Sequence, residues 1–174
     1  MISEHNLYII AAVDHNFGVG KNGDLAWRLK GDMAYFASRT TKTQDVHKQN
    51  MVIMGRTTWE SIPEKYRPLR DRVNVVLTRQ ENYSADNAQV VHNIEDAYDL
   101  VDDSIESIYI IGGSRVYTDT ITDERVDGVY LTHIDHEYDV DTYFPAVPEQ
   151  FRVQHIIGSE QENGVVYHYI LHTR

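Results

Sequence analysis

The stretch KNGDLAWRLKGDMAYF, residues 21–36, sets one carboxylate, Asp32, among Leu25, Trp27, Leu29, Met33, Tyr35 and Phe36. An acid in apolar company is costly unless it is capped, paired or used. Two readings of Asp32 stand side by side. Gly31-Asp32 sits where a helix would begin, and Asp is a good N-cap. Alternatively, Asp32 and Phe36 share a helix face at i, i+4. With Trp27 they would then frame a pocket for a flat heterocycle carrying N–H donors. Arginine is the second theme. Arg56, Arg67, Arg70, Arg72 and Arg79 stand out in a chain of net charge −11. Residues 1–79 balance at +4 and residues 80–174 at −15. A solvated basic face and a site for a small polyanion explain this equally well, since Arg suits carboxylate and phosphate geometry.

Glycine at strand-to-helix junctions is the third theme. MVIMGRTTW places Gly55 before a helix whose first turn offers Thr57 and Thr58, and IYIIGGSRVY places Gly112-Gly113 before Ser114. Helix N-termini carry free N–H groups and a positive dipole end, and glycine lets a phosphate approach the backbone. One such junction is weak evidence. Two in one small sheet could grip a pyrophosphate from both sides. VVLTRQ ends a further strand on Thr78 and Arg79, where open α/β sheets place their ligand crevice. An ordinary polar strand end would look the same. No G-x-G-x-x-G or P-loop pattern occurs, which disfavours a Rossmann enzyme or a P-loop NTPase. No G-x-S-x-G elbow supports a hydrolase. No metal site is expected, because the nine His come without Cys or H-E-x-x-H. DHEYDVDTYF, residues 135–144, is acidic, but it lacks the glycine of a calcium loop and reads as a solvated strand edge.

These residues need a scaffold, and 174 residues suit one domain with a sizeable core. Hydrophobic content of 41% and charged content of 25% are ordinary for a globular chain. The acidic balance argues against nucleic-acid or membrane-surface binding. There is no apolar run fit to span a bilayer, and MISEHNLYIIAAVDHN makes a poor signal peptide. The expectation is a cytoplasmic enzyme. Strand-like runs are LYIIAAV (7–13), MVIMG (51–55), VNVVLT (73–78), AQVV (88–91), SIYIIGG (107–113), GVYLTHI (128–134), FRVQHII (151–157) and VVYHYILHT (165–173). Helical signals run from Gly31-Asp32 through MAYFASRT, and over RTTWESI, IEDAYDLV and SRVYTDTI. Strand alternating with helix implies parallel βαβ units. GSEQENG joins the last two strands as a hairpin turn. The expected fold is α/β: one domain over 1–174, with an eight-stranded, mostly parallel twisted sheet, an antiparallel C-terminal edge and about four helices.

Taken together, the motifs resemble those of the dihydrofolate reductase family. The matching stretches are GVGKNGDLAW, GDMAYFASRTT, NMVIMGRTTWESIPEKYRPLRDRVNVVLTR, IYIIGGSRVY, GVYLTHI and DVDTYFP. KQNMVIMG and SIPEKYRPL look like the animal-type enzyme, and the spacing from Trp27 to Asp32 looks bacterial. Ala26 stands where the family usually has proline. The resemblance implies a monomeric enzyme that reduces 7,8-dihydrofolate to tetrahydrofolate with NADPH and is open to antifolate inhibitors. Asp32 becomes the acid that binds the pteridine, with Thr132 hydrogen-bonded to it. Ile10, Met33, Phe36, Ile62 and Leu69 become walls, and Arg72 the holder of the glutamate α-carboxylate. Leu25 and Trp27 belong to a loop over the nicotinamide, with Val19 and Gly20 at its near end. Ala12, Ile111 and Tyr117 flank that ring. Gly112-Gly113 resembles the family's cis Gly-Gly bond. The cofactor's remaining contacts fall on Gly55, Arg56, Thr57, Thr58, Leu77, Thr78, Arg79, His92, Ser114, Arg115 and Val116. Two other functions fit the same features less fully: a same-fold reductase of another pterin or pyrimidine, and a non-catalytic folate- or nucleotide-binding protein.

Overall fold

Apolar β-branched runs take the centre of the molecule and amphipathic helices cover them. In the computed structural model, which describes all 174 residues, the strands are β1 (Asn6–Val13), β2 (Gly18–Gly20), β3 (Gln49–Gly55), β4 (Arg72–Leu77), β5 (Gln89–Val91), β6 (Ile105–Ile110), β7 (Gly128–Ile134), β8 (Thr142–Tyr143), β9 (Val153–Glu162) and β10 (Val165–Thr173). The helices are α1 (Lys30–Thr41), α2 (Arg56–Ser61), α3 (Ile94–Asp99) and α4 (Ser114–Thr120). Eight strands form one sheet in the order β5-β4-β3-β6-β1-β7-β10-β9, and β2 pairs with β8 in a small second sheet. Pairing is parallel from β5 to β7, and β10 runs antiparallel to both β7 and β9. The expected class, strand number and antiparallel edge are present.

Burial follows from the parallel core. β3 and β6 are apolar on both faces, and Leu7, Ile9, Val13, Ile53, Ile108 and Ile110 are fully buried. Several boundaries differ from the sequence reading by a few residues. The glycines of SIYIIGG lie beyond β6, which stops at Ile110. Phe151 belongs to a 3₁₀ turn, Glu149–Phe151, so β9 starts at Val153. The GSEQENG turn is mostly strand. β9 continues to Glu162, and only Asn163 and Gly164 turn, both with positive φ (52° and 78°). Two consecutive positive φ values are the signature of a tight type I′ hairpin, which Asn-Gly favours. The β2–β8 pair escaped the sequence reading because strands of three and two residues carry no periodicity.

Candidate active site

The carboxyl ends of β1, β3, β4 and β6 open onto one cleft of about 1530 Å³, as expected of an open α/β sheet. The glycine junctions meet there. Gly55 N–H donates to the Gly112 carbonyl at 2.8 Å. A Cβ on Gly55 would touch Val116 at 3.3 Å, and one on Gly113 would touch the Thr58 hydroxyl at 3.3 Å. The Gly112-Gly113 peptide is cis, and Gly112 has φ +118°. Neither α2 nor α4 has a side-chain cap. The result is a bare backbone cradle between two helix starts. Tyr117 fixes its floor: its hydroxyl lies 2.8 Å from the carbonyls of both Ile10 and Ile111, donating to one at a time and so joining β1 to the end of β6.

Charge at this end is uneven. Arg56, Arg79 and Arg115 line the cleft with Thr57, Leu77, Thr78 and Ser114. Arg56 already pairs with Glu60 at 2.8 Å. His92 Nδ1 lies 2.9 Å from the Thr78 carbonyl, so its proton sits on Nδ1. At the other end Arg72 donates to the Thr40 hydroxyl at 3.0 Å and to the Arg70 carbonyl at 2.8 Å. Burial lowers its proton affinity, and the nearby Asp71 only partly offsets this. Arg67 and Arg70 do not line the cleft; Arg67 stacks over Trp59 at 5.4 Å. The basic run therefore splits into three cleft arginines, Arg67 packed on Trp59, and an exposed Arg70.

Between the two ends lies α1. Met33 and Phe36 project from it, opposite Ile62 and Leu69. Asp32 lines the cleft beside Ile10, Ala12, Ile111 and Thr132, and Ala12 and Thr132 are register partners on β1 and β7. Burial pushes the Asp32 carboxyl up to about 6; the Thr132 hydroxyl pulls it down, and the charges of Glu160 and Glu162 push it further up. Asp32 is not the helix cap. The cap position is Leu29, which offers no side-chain bond. The loop before α1 folds over the cleft with Val19, Gly20 and Leu25 facing it. Trp27 does not line the cleft. It is buried with Leu29, Ile134, Tyr167 and Tyr169, and its indole N–H has no protein partner. The acidic stretch DHEYDVDTYF is largely exposed and carries the short edge strand β8, as expected, and it also anchors that loop. Asp141 N–H donates to the Gly20 carbonyl at 2.9 Å, its carboxylate accepts from Asn22 N–H at 3.0 Å, and Asp139 pairs with Lys21 at 3.2 Å.

Residues 6–174 match the family model described as dihydrofolate reductase. The chain belongs to the dihydrofolate reductase family. The Drosophila melanogaster dihydrofolate reductase is 40% identical over 170 residues, covering 92% of this chain and 93% of that one. The Heliothis virescens dihydrofolate reductase is 40% identical over 178 residues, covering 97% and 96%. That of Sus scrofa is 40% identical over 148 residues, covering 81% and 80%. As a member of this family the protein is an oxidoreductase that reduces dihydrofolate to tetrahydrofolate, with NADPH as its cofactor. The glycine cradle, which side chains would fill, and the arginines at its edge fit a dinucleotide with an extra phosphate. No helix is long and apolar enough to cross a membrane. Sequence reasoning missed Glu160 and Glu162, which act on Asp32 from a strand at the far end of the chain; no motif or spacing marks them.

Proposed function

We propose that Asp32 is the acid that orients the pteridine and favours its protonation, in a single reductase domain acting as a cytoplasmic monomer on small molecules rather than on nucleic acid or membranes. The observation that carries this is a carboxyl raised to about 6 by burial, lining the cleft that also holds the glycine cradle. A group poised near the working pH is what proton transfer requires. NADPH supplies the hydride. The chain's own residues supply geometry. Met33, Phe36, Ile62 and Leu69 hold a flat ring against Asp32, and Thr132 orients the carboxylate. Ala12, Ile111 and Tyr117 form the surface on which the nicotinamide rests. Leu25, with Val19 and Gly20, screens the reacting atoms from water, and Trp27, buried behind this loop, anchors it. Thr57, Thr58, Ser114, Arg56, Thr78 and Arg79 hold the phosphates, with His92 beside them. Leu77, Arg115 and Val116 complete the cofactor's contacts.

Arg72 receives the glutamate α-carboxylate, a task for which its lack of an acid partner suits it. NADPH oxidation followed with and without dihydrofolate tests the activity, and Arg72→Leu tests the binding mode. The variant should bind folate and methotrexate at least several-fold more weakly, because the carboxylate loses a charged partner. A pteridine without the glutamate should bind as before. Equal losses for both ligands would make Arg72 a support of the fold instead.

A further inference from the structure

The β9–β10 hairpin brings two carboxylates to the start of α1 that the reduction, as described so far, does not use. Glu162 accepts hydrogen bonds from the backbone N–H groups of Lys30 (2.8 Å) and Gly31 (3.0 Å), and from the Tyr167 hydroxyl at 3.2 Å. It therefore caps α1 from a strand 132 residues further along the chain than Lys30. Glu160 accepts from the Tyr169 hydroxyl. The Tyr169 ring in turn stacks on Tyr35 of α1, with centroids 3.8 Å apart. The approach is close enough that a Cβ on Gly31 would collide with the Tyr167 hydroxyl and the Glu160 carboxylate. Gly31 immediately precedes Asp32, so the hairpin's acids lie directly behind the pocket acid.

We propose that Glu160 and Glu162 are positioning residues for the reduction: they fix the first turn of α1, and their negative charge behind Asp32 helps it keep its proton into the working pH range. The proposal rests on Asp32 being the pocket acid. A charge behind a carboxylate opposes its ionisation, and both glutamates act on Asp32 in that sense. Other titratable groups also face it. Tyr35 on its own helix, Tyr117 from α4 and Tyr169 from β10 are phenols that burial keeps neutral, so they cancel neither charge. Lys30 lies beside Glu162 and offsets part of it. Arg28, which pairs with Asp24, and Arg72 line the same cleft, but the charges that move Asp32 are those of the two glutamates.

Glu160→Gln separates charge from shape, because Gln can still accept the one hydrogen bond that Glu160 receives. Glu162→Gln removes the charge and also one of the two oxygens that Lys30 and Gly31 use, so it tests charge and cap together. Two titrations are compared with wild type: the Asp32 carboxyl carbon by NMR, and single-turnover hydride transfer across pH. Each variant should move both midpoints to lower pH by about half a unit. Hydride transfer above the midpoint should fall roughly threefold, with little change in the melting temperature of Glu160→Gln. An unmoved NMR midpoint would overturn the proposal, and a lowered melting temperature alongside it would leave the glutamates as structural caps. A shifted NMR midpoint with an unshifted kinetic one would overturn it differently, by removing Asp32 from the proton's route. Should Glu162→Gln fail to fold, Glu160→Gln decides alone, since Glu160 makes no bond to the α1 backbone.

Discussion

At Asp32, stability and chemistry pull in opposite directions. Its folded-state value of about 6 lies above the ordinary carboxylate range. The folded protein therefore binds the proton more tightly than the unfolded chain does. Stability falls as pH rises from about 4 to about 6, and above that the penalty is complete. Asp32→Asn should remove it. We expect the variant to be more stable at neutral pH by roughly 1–2 kcal/mol after allowance for solvent screening, and no more stable near pH 4. Hydride transfer should fall about 10²–10⁴-fold, the usual worth of acid–base assistance. It should recover as pH falls, when substrate arrives already protonated. Thermal melts at the two pH values, beside single-turnover rates, check both halves. A melting temperature that drops at neutral pH, with the rate intact, would make Asp32 a helix-end residue after all.

At the level of elements, α1 carries the pocket and is held at both ends by residues outside it. Glu162 closes its first turn. Its last turn is closed by Asn50, fully buried at the start of β3. The Asn50 amide donates to the carbonyls of Thr40 (3.0 Å) and Lys42 (2.9 Å), and its oxygen accepts from Ser107 N–H at 3.1 Å on β6. One side chain thus ties helix to sheet. Asn50→Ala should cost about 2–4 kcal/mol, because buried backbone groups lose their partners. Urea unfolding gives the figure, and a loss under about 1 kcal/mol would mean that water replaces the amide without cost. Both ties explain what the sequence could and could not announce. The strands and helices were legible from apolar period and Gly junctions, and the cleft from Gly55, Gly112-Gly113 and the arginines. The capping of α1 was not, because Glu162 and Asn50 are distant in sequence and look like any polar residues on a strand. The same holds for Trp27, whose burial depends on Tyr138, Tyr167 and Tyr169 arriving from elsewhere.

Over the whole molecule, two charge scales compete for anionic ligands. The global balance of −11 opposes the approach of NADPH and dihydrofolate, while Arg56, Arg72 and Arg79 set positive charge along the cleft. Screening distinguishes the two, because the long-range field fades beyond about 8 Å at physiological ionic strength whereas contacts in the cleft persist. Asp99 and Asp103 are exposed at the end of α3 and in the turn before β6. That turn precedes the amino end of β6, away from the carboxyl ends that form the cleft. Replacing both by Lys changes the net charge from −11 to −7 without touching a ligand. Association of NADPH, measured by stopped flow at low ionic strength, should then quicken by about twofold or more. In 0.5 M salt, where the Debye length shrinks to roughly 4 Å, the variant and wild type should coincide. Dissociation should be the same in both proteins under either condition, since no contact in the cleft has changed. An acceleration that survives high salt would place the effect in the fold rather than in the field. No acceleration at low salt would mean that the cleft arginines alone set the approach of the cofactor.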